Sequence, residues 1–182
     1  MIEMRFHGRG GQGAVTSAEL VARAAIETGK YATAFPSFGP ERRGAPVVAF
    51  ARVDEKPIKL RCKIYNPDVV IVLDPSLLDI AHPTDGLRER GILVINSNQD
   101  TDTLKKRLSY QGRMAVVDAS AIAREVIGVP ITNTTMVGAL VKATGILTVE
   151  DLKESFKQRF GKIAERNIAA MQRAFDETTV VA

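Results

Sequence analysis

The chain has 182 residues, 45% hydrophobic and 25% charged, which is enough apolar material for one domain with a full core and too much for a disordered chain. Its formal charge of +4 comes from charges interspersed along the sequence, without the Lys/Arg runs of a nucleic-acid binder, and three Tyr and no Trp leave little for base stacking. Cys62 is the only cysteine, whereas an iron–sulfur cluster usually takes four thiolates, and His7 and His82 lack zinc-site spacing. There is no signal-peptide core at the N-terminus and no apolar run of membrane-spanning length, so a cytoplasmic location without a membrane partner is expected.

Residues 2–6 read as a short strand that runs through Gly8-Arg9-Gly10-Gly11-Gln12-Gly13 into a helix pattern over residues 14–28. Glycines at 8, 10 and 13 fit the G-x-G-x-x-G spacing of a strand-turn-helix that receives phosphate at a helix N-terminus. The same spacing serves a tight turn with no ligand. Ala18, Val21, Ala22 and Ala25 give the helix a small face for close packing, and Gly29 closes it. The second strand, residues 31–35, lacks the acid that holds a nicotinamide ribose, because Glu27 falls inside the helix pattern. Gly29-Lys30 is followed by Tyr31, which excludes a triphosphate loop.

Two glycines and two prolines mark residues 37–46 as a loop. Residues 47–53 and 58–64 then read as an antiparallel hairpin around Asp54-Glu55-Lys56-Pro57. Ile58, Leu60, Cys62 and Ile64 alternate there with Lys59, Arg61 and Lys63, which makes Cys62 a buried small hydrophobe. Residues 68–74, 91–96 and 114–118 are continuous apolar runs of the kind buried on both faces of a sheet, the last two each after a polar helical stretch. Their final residues, Asp74, Asn96 and Asp118, lie where open α/β sheets place ligands and also where helices take caps. Helix patterns follow over residues 121–127 and 136–144, with Thr132-Asn133-Thr134-Thr135 offering caps to the second. Thr148 and Asp151 start a helix that runs to residue 160. Residues 163–175 form the last helix, with Ile168, Met171 and Phe175 on one face for core or subunit contact. The alternation predicts a single α/β domain over residues 1–182: a three-layer, Rossmann-like fold whose mostly parallel sheet carries an antiparallel hairpin.

Two segments together, Gly8-Arg9-Gly10-Gly11-Gln12-Gly13 and Pro36-Ser37-Phe38-Gly39-Pro40-Glu41-Arg42-Arg43-Gly44-Ala45-Pro46, resemble the gamma subunit of the 2-oxoacid:ferredoxin oxidoreductases, most closely the pyruvate type. Asn66-Pro67-Asp68, Asn133-Thr134-Thr135-Met136-Val137-Gly138-Ala139-Leu140 and Thr144-Gly145-Ile146 extend the resemblance over essentially the whole chain. Thr135 departs from it, since pyruvate-type chains more often carry proline there, and the 2-oxoacid is left open.

The resemblance implies a net reaction in which a 2-oxoacid and coenzyme A give acyl-coenzyme A, carbon dioxide and two electrons for ferredoxin. Thiamine diphosphate and iron–sulfur clusters supply the chemistry. It also implies alpha, beta and delta partner subunits, or fused equivalents, with ferredoxin served through the complex. The chain has no Gly-Asp-Gly…Asn-Asn segment of thiamine diphosphate type, so those cofactors are expected on the partners, and the isolated chain is expected to fold without oxidoreductase activity.

Gly8, Arg9, Gly10, Gly11, Gln12, Gly13, Ser37, Gly39, Arg42 and Arg43 are the residues expected to meet coenzyme A or a neighbouring chain, and none is expected to be catalytic or to bind metal. Arg42 and Arg43 are the candidates for coenzyme A phosphates, with Glu41 as an internal ion-pair partner. A free-standing Rossmann-like nucleotide-binding domain would account for the first glycine loop but not for residues 36–46. A purely structural subunit would account for both.

Overall fold

The computed structural model describes residues 1–37 and 43–182. Its strands are β1 (Ile2–Arg9), β2 (Tyr31–Pro36), β3 (Pro46–Asp54), β4 (Val69–Val72), β5 (Ile92–Asn96), β6 (Arg113–Val117) and β7 (Thr179–Val181). Its α-helices are α1 (Ala14–Glu27), α2 (Thr101–Leu108), α3 (Ala119–Val126), α4 (Asn133–Thr144), α5 (Val149–Phe160) and α6 (Ala164–Glu177). All seven strands join one sheet in the order β2-β3-β1-β4-β5-β6-β7. β1, β4, β5 and β6 pair in parallel, β3 runs antiparallel to both β1 and β2, and β7 runs antiparallel to β6. β1, β2, β4, β5 and β6 therefore share one direction.

The apolar runs of β4, β5 and β6 serve two cores at once, as alternation across a pleat requires. Val69, Ile71, Ile92, Val94 and Ala115 face α1 and α3 to α6, while Val70, Val72, Leu93, Ile95 and Met114 meet Leu77, Leu78 and Leu104 on the other side. The outer layers are unequal, with α2 as the one α-helix of the second face among the described residues. Helix α5 starts on a reciprocal capping box in which the Thr148 hydroxyl accepts from Asp151 N and the Asp151 carboxylate accepts from Thr148 N. Helix α1 ends at Gly29 on paired bonds from Lys30 N to Ala25 O and from Gly29 N to Ile26 O.

The antiparallel hairpin is built from different strands than the alternation of residues 58–64 indicates. β3 is bonded along one edge to β1 and along the other to β2, so no free edge remains for a strand at 58–64, which runs as irregular chain. Cys62 is consequently exposed, not buried. The stretch before β5 is a 3-10 turn (Pro75–Leu77) and further turns in place of a helix, broken up by Pro75, Pro83 and Gly86. Thr132 to Thr135 are buried and largely within α4 instead of capping it: the helix begins at Asn133, and Thr132 makes no side-chain cap. β7 has no counterpart in the sequence patterns.

Candidate functional site

The connection after β1 leads through α1 to β2 on one side of the sheet, whereas β4 leads to β5 on the other. The carboxyl ends of β1 and β4 therefore flank a switch point, the place where open α/β sheets hold ligands. Arg9 ends β1 there, and Asp74 follows β4. Next to them is a hollow of about 270 Å³ lined by Gln12, Asp74, Asn96, Ser120 and Thr132 among others.

The glycine turn is tied down by its own side chains. Gln12 accepts from Arg9 N through Oε1 at 2.6 Å and donates from Nε2 to Asp74 Oδ2 at 2.7 Å. The Arg9 guanidinium lies 3.3 Å from Asp74 Oδ2, bonds Ser76 Oγ at 2.8 Å and donates to Gly44 O at 3.0 Å. Arg9 and Gln12 are thus engaged within the chain, holding β1, the Asp74 corner and the Gly44 segment together. Burial pushes the Asp74 carboxyl up, but hydrogen bonds from Ser76 and Gln12 and the charge of Arg9 outweigh it and hold the group below the ordinary carboxylate range. Asp74→Ala leaves Gln12 and Ser76 without their acceptor. We expect it to cost about 1–3 kcal/mol, read as a lower melting temperature by calorimetry.

Gly13 sits at φ 83° at the mouth of α1, where a Cβ would lie 2.5 Å from Asn133 Nδ2. Only glycine satisfies both conditions. Ser17 Oγ bonds Asn133 O at 3.1 Å, so α4 backs the glycine turn directly. Gly8 is buried beside Leu73, whereas Gly11 is exposed at the tip.

Residues 43–45 of the second segment meet the first. Gly10 bridges Arg43 in parallel, with Gly10 N donating to Ala45 O at 2.9 Å and Gly44 N to Gly10 O at 3.1 Å. Arg43 is exposed at this bridge. Gly39 and Arg42 lie outside the described residues. Ser37 N donates to Val48 O, and Ser37 borders a separate cavity of about 220 Å³ on the second face with Arg5, His7, Lys63, Tyr65 and Asp85. There Arg5 Nε donates to His7 Nε2 at 3.0 Å, and His7 is almost fully buried.

A match to the family described as pyruvate ferredoxin/flavodoxin oxidoreductase spans residues 3–177. The chain belongs to that family. It is 52% identical over 182 residues to the pyruvate/ketoisovalerate oxidoreductases common subunit gamma of Thermococcus kodakarensis, covering 99% of this chain and 98% of that one. It is 48% identical over 181 residues to pyruvate synthase subunit PorC of Methanothermobacter thermautotrophicus, with 97% and 96% covered. The crystal structure of pyruvate oxidoreductase subunit PORC from Thermotoga maritima matches with a TM-score of 0.89 at 39% identity, covering 100% of this chain and 98% of that one. The resemblance carried by the two glycine-containing segments is borne out: this is a gamma-type subunit of a 2-oxoacid:ferredoxin oxidoreductase.

Within this gamma-type chain, Asp74, Asn96 and Asp118 have structural roles. Asp74 and Asp118 accept from Ser76 N and Ala121 N at 2.9 Å, and Asn96 donates to Leu73 O and Ser120 Oγ while accepting from Ser120 N. Asp74 does more than cap, since it also receives Gln12 and Arg9, and Ser76 joins it. Spacing alone does not reveal this cluster, because its members come from different strand ends. Among the described residues, no group of three or more His, Cys, Asp or Glu is placed to hold a metal ion. With a single exposed cysteine, the donor set does not fit an iron–sulfur cluster.

Proposed function

We propose that the chain, acting as one domain over residues 1–182, is the gamma subunit of a cytoplasmic multi-subunit enzyme that oxidatively decarboxylates pyruvate or a related 2-oxoacid. In this reading it assembles with alpha, beta and delta chains or their fusions and presents residues 8–13 and 37–43 to coenzyme A. Thiamine diphosphate and the iron–sulfur clusters reside on those partners, which pass electrons to ferredoxin. No α-helix among the described residues is long and apolar enough to cross a membrane, in keeping with this placement.

The observation that carries the coenzyme A assignment is the bridge between Gly10 and Arg43. It fixes an exposed arginine beside the glycine turn at the carboxyl end of β1, where the N-terminus of α1 also points. Phosphate groups are recognised by that pairing of guanidinium with helix-terminal N–H groups. Here Gly10 and Gly11 let the ligand approach, Gly8 and Gly13 permit the close packing of the turn, Arg43 stands at the rim, and Arg42 is the second arginine proposed to meet phosphate. Arg9 and Gln12 hold the turn in shape.

Charge-assisted bonds to phosphate are worth about 1.5–3 kcal/mol each, so Arg42→Gln and Arg43→Gln are each expected to weaken coenzyme A binding by roughly 10- to 150-fold in an intact complex. The 2-oxoacid half-reaction measured without coenzyme A is expected to stay nearly unchanged. A purely structural role is favoured by one observation: Arg9 and Gln12 spend their hydrogen bonds inside the chain. Under that reading the same substitutions loosen assembly and lower both half-reactions together. Intact assembly with unaltered coenzyme A dependence in the double mutant would remove the contact role.

A further inference from the structure

We infer that β2 is a docking edge for an extended, partly acidic segment of another subunit, an inference that rests on the proposed membership of a multi-subunit enzyme. β2 lies at the end of the sheet and, among the described residues, pairs only with β3. Ser37 N donates to Val48 O, so by antiparallel alternation Phe35, Thr33 and Tyr31 also direct their backbone groups to β3. The N–H and C=O of Ala32 and Ala34 and the C=O of Pro36 therefore point outward, with no bond to them among the described residues. Pro36 stands at an outward position, where a proline costs the β2–β3 ladder no bond.

Grooves flank this edge on both faces of the sheet. One, of about 600 Å³, is lined by Leu20 and Ile26 of α1 with Ala32 and Ala34. The other, of about 350 Å³, is lined by Thr33, Phe35, Leu60 and Arg61. An added strand sends alternate side chains to opposite faces, so its residues would enter the two grooves in turn. Ile26, Tyr31 and Leu60 are all large apolar residues left exposed around this one edge. Thr33 and the exposed Arg61 both line the second groove. The first groove, which Glu19, Arg23, Glu27 and Arg159 also line, suits side chains with an apolar stem and a polar end, and a carboxylate suits the second, where it would accept from Arg61.

A second copy of this chain fits less well. Antiparallel self-pairing centred on Ala34 sets Ala32 opposite Pro36, whose missing N–H leaves the Ala32 carbonyl unpaired on both copies. A different chain can meet every outward group.

The test compares backbone hydrogen exchange in the free chain and in the assembled enzyme. Docking predicts that the Ala32 and Ala34 amides exchange about 100-fold or more slowly on assembly. Ala34→Pro removes an outward N–H and none of those bonded to β3, and Ile26→Asp places a charge on a surface position of α1. Each is expected to weaken assembly about tenfold or more while leaving the free chain's melting temperature near that of the wild type. Assembly with both amides as exposed as in the free chain overturns the docking edge and leaves the proposed function standing. A free chain that is dimeric by sedimentation, with both amides already protected, assigns the edge to a second copy and also overturns it. Failure to assemble with any thiamine diphosphate-binding subunit overturns both.

Discussion

Gly138→Ala is expected to destabilise the isolated chain by about 2–4 kcal/mol, although alanine is the better helix former. Helices α4 and α6 come together at this residue. A Cβ on Gly138 would lie 2.0 Å from Met171 O, 2.9 Å from Met171 C and 3.1 Å from Phe175 N. These are backbone atoms and cannot swing away as a side-chain end can. The two helices must separate, opening a seam lined by Val137, Val141, Met171 and Ala174, all buried. Urea unfolding of both proteins measures the difference. An unchanged midpoint would mean that the α4–α6 approach is looser than these distances state. Because Asn133 of the same helix supports Gly13, separation is also expected to disturb the glycine turn.

Acidification should remove about 3 kcal/mol of stability through His7 between roughly pH 6.5 and pH 4. Burial, and after it the charge of Arg5, lowers the His7 imidazole from 6.5 to about 4. The unfolded chain therefore takes up this proton first as the pH falls. The contribution is complete above about pH 6.5 and is lost on the way down to about pH 4, below which both states are protonated. Protonation would also end the bond from Arg5 Nε to His7 Nε2, since the imidazolium has no acceptor to offer. Stability measured across this range should fall for the wild type and stay much flatter for His7→Gln, which keeps a neutral acceptor. The depressed Asp74 carboxyl works in the same sense at lower pH: its contribution is present above the ordinary carboxylate range and lost as the pH falls through its lowered value. Equal slopes for His7→Gln and the wild type would contradict the assignment to His7.

What was legible in the sequence was whatever local pattern decides. The doubly buried runs of β4, β5 and β6, the small face of α1 and the Thr148–Asp151 capping box all follow from periodicity and cap chemistry, and each is in place. Residues 58–64 alternate as a strand does, but an edge to pair with is a property of the whole sheet, and β1 and β2 already occupy β3. Their alternation places Ile64 in the core while leaving Leu60 and Cys62 exposed. At the candidate site, the glycine spacing locates the turn but does not say what Arg9 and Gln12 hold. Their partner Asp74 lies 65 and 62 positions away along the chain, brought close only by the parallel pairing of β1 with β4.

A chain that works only as one subunit of a larger oxidoreductase should be inactive by itself. The most direct measurement purifies the tagged chain both alone and from cells that express its partner subunits, and assays each for 2-oxoacid- and coenzyme A-dependent reduction of ferredoxin. Activity is expected in the co-purified complex and none in the chain alone. Activity in the chain alone, or a complex that lacks 2-oxoacid oxidation with all its partners present, would contradict it.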